Sequence, residues 1–266
     1  MFKGCRLWGI ILPGVRLRIR RRNLEMPNAK DFTLETNFIK VFIVGDPGTG
    51  KSIFASSFPE PIYLFNFGDT VLSYRGKDVD YEDYGSTAGG WVKFEKDWKR
   101  IKDQIKAGEF KYKTVVVDDT TSWTDLAMGR AMQLDPKRSP TGGPMWNVHY
   151  GMVKNLIEGN LRQMLEFPCN LVVIGHLNKN LDADTGAVIS IEPMLTGQLS
   201  TKVPSYFDEV YYSIRETIKG QTEFKLLTVG KGHLNARSRL SGKEHFLPDK
   251  IDNNYDTLME CMKGVK

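Results

Sequence analysis

Long apolar runs are missing from this 266-residue chain. No stretch approaches the roughly 20 residues that a membrane-spanning helix needs, so no such span, and no membrane partner, is expected. Cysteine is scarce as well. Cys5, Cys169 and Cys261 lie far apart and form no CxxC pair. That argues against a disulfide framework or a zinc site and fits a reducing cytoplasm. The sequence contains no low-complexity tract, no internal repeat and no linker that would divide it. What remains is a globular composition, 41% hydrophobic and 26% charged. This is enough apolar material to bury a core.

A general excess of positive charge is also lacking, although the formal net charge is +5. Residues 1–25 hold Lys3, Arg6, Arg16, Arg18, Arg20, Arg21 and Arg22 against Glu25, a net of +6 that leaves −1 for the remainder. Any argument for nucleic-acid binding must therefore rest on local patches. Within the arm, the short apolar stretch Leu7–Leu12 is broken by Pro13, and the charges follow it, the reverse of a secretory signal. Three readings stay open for 1–25: a basic arm touching nucleic acid or anionic lipid, an added strand in which Val15, Leu17 and Ile19 alternate with arginines, or an extension upstream of a natural start at Met26. Residues 26–266 read as a single domain.

Short apolar runs alternate with helical patterns along that domain. Phe38–Val44, Ile62–Phe67, Thr114–Val117 and Asn170–Ile174 read as buried strands. Lys51–Phe58, Trp91–Ala107, Trp123–Leu134 and Val148–Glu166 read as helices; Trp91, Phe94, Trp98, Ile101 and Ile105 share one helical face. Val71–Gly90 and Asp135–Pro144 read as loops. Leu177–Pro204 is long and polar, with a hairpin turn at Asp184-Thr185-Gly186. Glu209–Arg215 and Phe224–Val229 are further strands before a basic loop and a short C-terminal helix. Continuous apolar strands alternating with helices predict an α/β fold with a mostly parallel central sheet and helices on both faces.

The first strand runs into Gly45-Asp46-Pro47-Gly48-Thr49-Gly50-Lys51-Ser52, a full match to GxxxxGK[ST], and a helix follows. Glycines let the loop turn its N–H groups inward, and the helix start adds positive potential. Lys51 is placed to reach the β- and γ-phosphates of ATP, and Ser52 to hold Mg²⁺. Residues Gly45 to Ile53 are the expected nucleotide cradle, with Thr49 a loop former. Thr114-Val-Val-Val-Asp118-Asp119 ends an apolar strand in carboxylates, and Asp118, which ends the strand directly, is the expected second magnesium group. Asp69 and Asp119 are both candidates for orienting the attacking water; each could equally be a turn carboxylate.

The order of these motifs resembles the RecA-like P-loop ATPases, and more closely the phage-encoded nucleotide-binding proteins that act as single-strand annealing recombinases. GDPGTGKS, KTVVVDDTTSW, the block from LVVIGHLNKN through DTGAVISIEPMLTGQLSTKVPSYFDEVY, and GKGHLNARSRLSG carry the resemblance over roughly residues 36–248. The first motif is common to many ATPases; the last two discriminate. The resemblance implies a RecA-like core that binds ATP and Mg²⁺ between subunits of a homo-oligomer, ring or filament. It also implies single-stranded DNA as a partner and a single-strand DNA-binding protein as another, in a host cytoplasm. It makes His176 a γ-phosphate sensor, against a merely packed histidine. It makes Arg237 and Arg239 arginine fingers acting in the neighbouring subunit, against a solvated basic turn. It turns two loops toward DNA: 135–147 with Lys137, Arg138 and Trp146, and 177–202 with Lys179 and Lys202. Trp146 and Tyr150 either stack on bases or fill the core.

One position departs from the family pattern. A catalytic Glu is expected at the end of the second strand, and Phe67 stands there. Either Asp69 has taken the role, or the register differs, or hydrolysis is weak. Three functions follow: a DNA-dependent ATPase that promotes annealing or strand exchange, a hexameric helicase or helicase-loader motor, and an ATP-binding scaffold with little turnover.

Overall fold

In the computed structural model, residues 38–68, 71–85, 88–239 and 247–264 are described. The basic arm at 1–25 and Asp69 lie outside the described residues. β1 (Lys40–Val44) leads through the glycine loop to α1 (Lys51–Ser56), then β2 (Ile62–Asn66), β3 (Val79–Asp83), α2 (Ala88–Ala107) and β4 (Thr114–Asp118). Two longer helices follow, α3 (Thr120–Leu134) and α4 (His149–Leu165), and then β5 (Asn170–Gly175). A hairpin of β6 (Leu177–Leu181) and β7 (Val188–Pro193) precedes α5 (Leu199–Ser205). The chain closes with β8 (Glu209–Ile218), β9 (Gln221–Leu227), β10 (Arg237–Ser238), β11 (Lys250–Asp252) and α6 (Tyr255–Met262).

The main sheet has the order β11-β9-β8-β1-β5-β4-β2-β3, with β10 on β8. From β8 to β3 every pairing is parallel; β9, β10 and β11 join antiparallel. This is a mostly parallel α/β sheet. The hairpin forms its own two-stranded sheet. Register sets the position of the site. Val44 lies beside Gly175, and Asn66 beside Asp118. The C-terminal ends of β1, β2, β4 and β5 are therefore level, and the loops leaving them meet at one edge, where open parallel sheets bind their ligands.

The strand residues alternate between two packed faces. On one, Phe42, Phe65, Val117 and Val173 belong to a single buried cluster with Trp91, Phe94 and Trp98 of α2, Trp123 of α3, and Val153 and Ile157 of α4. On the other, Val41, Ile43, Leu64 and Val172 are fully buried, as are Phe54 and Ala55 of α1 and Leu258 of α6. Phe58 joins those two helices' surroundings, with its ring 5.1 Å from Phe54 and 4.7 Å from Tyr255. Helices thus cover both faces, which suits strands that are apolar on both sides.

The segment expected as a loop at 71–90 is the clearest correction. It contains a 3-10 turn at Leu72–Tyr74, the strand β3 and the start of α2. β3 reads Val-Asp-Tyr-Glu-Asp and, among the described residues, pairs only with β2. As an edge strand it is mostly exposed, so its charged side chains hide the strand pattern. Elsewhere the expected elements are present with ends shifted by a few residues, and α5, β10 and β11 stand where no element was expected. The turn at Asp184-Thr185-Gly186 does join the two strands of a hairpin: Asp182 Oδ1 accepts from the N–H groups of Asp184 and Thr185 at 3.1 and 2.8 Å.

Candidate nucleotide-binding site

The glycine loop is held from three directions. Inside it, Thr49 Oγ1 donates to the Asp46 carbonyl at 2.8 Å, and the Lys51 ammonium donates to the carbonyls of Gly45 and Asp46, both at 2.9 Å. From β8, Ser213 Oγ donates to the Thr49 carbonyl at 2.5 Å. From the turn before α6, Asn253 Nδ2 donates to the Gly50 carbonyl at 2.8 Å. Two glycines are required by space. A Cβ on Gly45 would come within 2.7 Å of the Ser213 carbonyl, and one on Gly50 within 2.8 Å of the Phe224 ring. Gly50 also has φ 92°, a left-handed value that other residues rarely adopt.

A cavity of about 290 Å³ opens over this loop. Pro47, Gly48, Gly50, Lys51, Ser52 and Ile53 form its floor. Asp118, Asp119, Gly68, Ser73, His176 and Phe224 complete the wall. Of the expected cradle, Gly45, Asp46 and Thr49 contribute backbone to the loop without lining this cavity; Asp46 and Thr49 face a neighbouring one of about 380 Å³ on the other side of Pro47. Burial lowers the pKa of the Lys51 ammonium, and Asp118, Asp119 and Asp46 oppose that shift by favouring its charge.

The carboxylates divide into two kinds. Asp118 Oδ2 accepts from Ser52 Oγ at 2.7 Å and from the buried Tyr74 hydroxyl at 3.2 Å. Burial raises its pKa and Asp119 adds to the rise, while Ser52, Tyr74 and Lys51 work against it. Asp119, joined to Asp118 by a cis peptide, is the N-cap of α3. Its Oδ1 accepts from the Ser122 N–H at 2.8 Å, and its Oδ2 lies 3.5 Å from His176 Nε2. Burial alone would raise its pKa, but His176 and Ser122 hold it below the ordinary carboxylate value. Asp119 is thus the carboxylate kept ionised, and Asp118 the one tuned by a hydroxyl and a phenol. A hydroxyl and a carboxylate so close suit a hard divalent cation. Magnesium takes only one or two protein oxygens and completes its shell with phosphate and water, so Ser52 and Asp118 fit it. Among the described residues no three His, Cys, Asp or Glu side chains group as an all-protein metal site.

His176 leaves β5 beside this pair, and its buried Nδ1 has no hydrogen-bond partner among the described residues. Phe67 does not line the cavity, although Gly68 beside it does. Its ring is buried among Tyr84, Phe94 and Trp123, with centroids 4.8, 5.5 and 5.6 Å away. The backbone N–H groups of Phe67 and Gly68 both donate to the Asp118 carbonyl, at 2.6 and 3.0 Å. The second strand therefore supports Asp118 through its backbone and supplies no carboxylate at Phe67.

The remaining expected residues lie apart from the cavity. Arg237 donates to the carbonyls of Pro204 and Phe207, at 2.6 and 3.2 Å. Arg239 is exposed and pairs with Asp208 at 2.7 Å. Lys179, expected on a DNA-facing loop, instead pairs with Asp46 of the glycine loop at 2.8 Å. Arg138 donates to the carbonyls of Met132, Asp135 and Lys137, which ties it to the end of α3. Lys137 is exposed, and Lys202 lies 3.4 Å from Glu158. Trp146 is 72% exposed, which removes the core reading for it. Sequence reasoning missed Tyr74, Ser213, Phe224 and Asn253. Each reaches the site from a segment with no motif of its own, so only the fold reveals them.

The sequence model of the AAA_24 family, an AAA domain, matches residues 37–240. Among solved structures, the chain is similar to the KaiC-like protein PH0186 from the hyperthermophilic archaeon Pyrococcus horikoshii OT3. That similarity covers 73% of this chain and 80% of the other at 13% identity, with a TM-score of 0.42. No curated protein sequence matches the chain. Among the described residues no helix is long and apolar enough to cross a membrane.

Proposed function

The chain belongs to the AAA domain family, and from that premise we propose that it is a magnesium-dependent ATPase acting on single-stranded DNA, promoting annealing or recombination as an ATP-bridged oligomer. One observation carries the ATPase reading. Lys51, Ser52, Asp118, Asp119 and His176 line one cavity above the glycine loop, although they come from three separate strand ends. Lys51 neutralises the β- and γ-phosphates. Ser52 and Asp118 hold the magnesium ion, which when bound offsets the charge that develops on the transferring phosphoryl group. Asp119 is ionised and fixed by its cap to α3, so it orients the attacking water while His176 reads the terminal phosphate. Phe67 has no chemical part. In the neighbouring subunit, Arg239 is the finger, released from its exposed pair with Asp208, whereas Arg237 is tied to two carbonyls of its own chain.

A second reading, an ATP-dependent scaffold with little turnover, is favoured by Phe67 itself, since the second strand offers no glutamate there. ATPase turnover with and without single-stranded DNA, with mass measured in the same buffers, separates the two. An ATPase that works on DNA turns over faster with the strand present and grows in mass with ATP. Lys51→Ala abolishes nucleotide binding or turnover. Normal turnover in that variant would remove the site assignment, and ATP binding with negligible turnover whether or not DNA is present would favour the scaffold.

A further inference from the structure

Outside the nucleotide site, α4 carries a face that core packing does not use. Its inner face buries His149, Val153, Ile157, Leu161 and Met164. Tyr150, Lys154, Glu158 and Arg162 follow one another at four-residue spacing along another face. Twelve residues at 1.5 Å each make this stripe roughly 18 Å long. Trp146 extends it at the N-terminal end, with its ring centroid 4.6 Å from that of Tyr150.

The two halves of the stripe differ in chemistry. At one end an indole that is 72% exposed stacks obliquely, at 42°, on a tyrosine. At the other, cations outnumber acids. Lys202 of α5 reaches across to Glu158 at 3.4 Å, and Lys154 lies close enough to Lys202 that the second ammonium lowers its pKa. Glu158 already accepts from the Tyr206 hydroxyl at 2.9 Å, and Arg162 lies over the Tyr206 ring at 4.7 Å. Three cations thus share one carboxylate, which leaves a local charge of about +2.

The aromatic end is built in place. His149 Nδ1 accepts from the Met145 N–H at 2.8 Å. Its Nε2 therefore carries the proton and donates to the Asp135 carbonyl at 3.0 Å. This buried imidazole clasps both ends of the loop 135–145 to the start of α4, immediately beside Trp146. An exposed ring held this way loses little freedom when a base stacks on it.

We infer that Trp146, Tyr150, Lys154, Lys202 and Arg162 form a track for single-stranded nucleic acid, with bases on the aromatic end and phosphates on the cationic end. The inference rests on the DNA-binding part of the proposed function and gives it a location. It differs from the loop-based expectation in placing Lys154 and Arg162 beside Lys202 on the path in place of Lys179 and Arg138; the exposed bonds of Lys154 to Gln198 at 3.1 Å and of Arg162 to the Tyr206 hydroxyl at 3.2 Å must yield to phosphate. A duplex fits poorly, since stacking on Trp146 needs an unpaired base.

The test is binding of a labelled oligo-dT by the full chain, followed by fluorescence anisotropy across a salt series. The Lys154→Gln/Lys202→Gln pair should weaken binding and flatten the salt dependence, lowering the log–log slope by about 1.4 for two lost phosphate contacts. Trp146→Ala should weaken binding roughly tenfold with the slope unchanged, because stacking releases no counterions. Both sets are at the surface, and unchanged thermal melting confirms their fold. Variants that bind as wild type overturn the track while the DNA-binding reading stands. A wild-type chain that binds no strand overturns both. Variants that alter oligomer mass but not DNA binding overturn the track and assign this face to a second copy of the chain.

Discussion

Replacing Phe67 by glutamate would supply the carboxylate that RecA-like enzymes carry at the end of the second strand. The packing predicts that it will not create a better enzyme. Phe67 is buried, and its ring touches those of Tyr84, Phe94 and Trp123. Truncating such a phenylalanine to alanine costs about 3–5 kcal/mol. At about 2–4 °C per kcal/mol for a chain of this size, Phe67→Ala should lower the melting temperature by roughly 10 °C. Phe67→Glu must also bring a carboxyl group into the ring cluster, which adds a desolvation cost or forces it to stay protonated. The sum approaches a typical total stability of about 5–15 kcal/mol. Phe67→Glu should therefore unfold at much lower urea than Phe67→Leu, which keeps an apolar side chain and should still bind ATP. Urea melts without nucleotide and steady-state ATPase rates on the three variants give the answer. A Phe67→Glu protein as stable as wild type and faster at hydrolysis would refute the argument, because its carboxylate would have to reach the phosphates.

Tyr74→Phe removes one of two hydroxyls on Asp118 Oδ2. At 3.2 Å this bond belongs at the weak end for a charged acceptor, about 1 kcal/mol, so the magnesium dependence should shift roughly fivefold. Turnover at saturating magnesium should change little, and the magnesium-dependent rise in melting temperature with ATP should shrink; identical magnesium titrations would count against Tyr74. A pH effect comes from the opposite end of the sheet. Burial lowers Lys40 to about 8 and raises Cys169 to about 11. Between pH 8 and 10 the unfolded chain binds the Lys40 proton more tightly, so that lysine makes stability rise with pH. The unfolded Cys169 thiol ionises first, so that cysteine makes stability fall. Cys169→Ala should therefore steepen the rise in unfolding free energy from pH 8 to 10, and Lys40→Met in that background should flatten it. Equal slopes in the two proteins would show that Lys40 is not desolvated.

The parts of the site written contiguously were legible in the sequence. The glycine loop is one octapeptide, and the strand ending in Asp118 is a short apolar run, so each carried its own chemical signature. The helical face of Trp91, Phe94, Trp98 and Ile101 was equally plain, because the core demands that spacing. β3 was hidden, since an edge strand can hold Asp80, Glu82 and Asp83 at no desolvation cost. The reach of Lys179 to Asp46 and of Tyr74 to Asp118 was hidden for a different reason. Such contacts are set by sheet order, and a side chain's destination across the sheet leaves no local pattern. Trp146 shows the limit most directly: indoles are usually buried, and this one is 72% exposed, next to a histidine clasp that the sequence does not announce.

The fastening of the glycine loop has a consequence for how the protein is made. Thr49 and Gly50 are secured by Ser213 and Asn253, residues 164 and 203 positions later. Contacts of such separation close late, after the local helices and the first strand pairs have formed. A chain that has already displayed its glycine loop cannot fasten the Gly50 carbonyl until the turn that carries Asn253 has formed. A ligand that needs the fastened loop would favour the finished sheet over its precursors, by mass action.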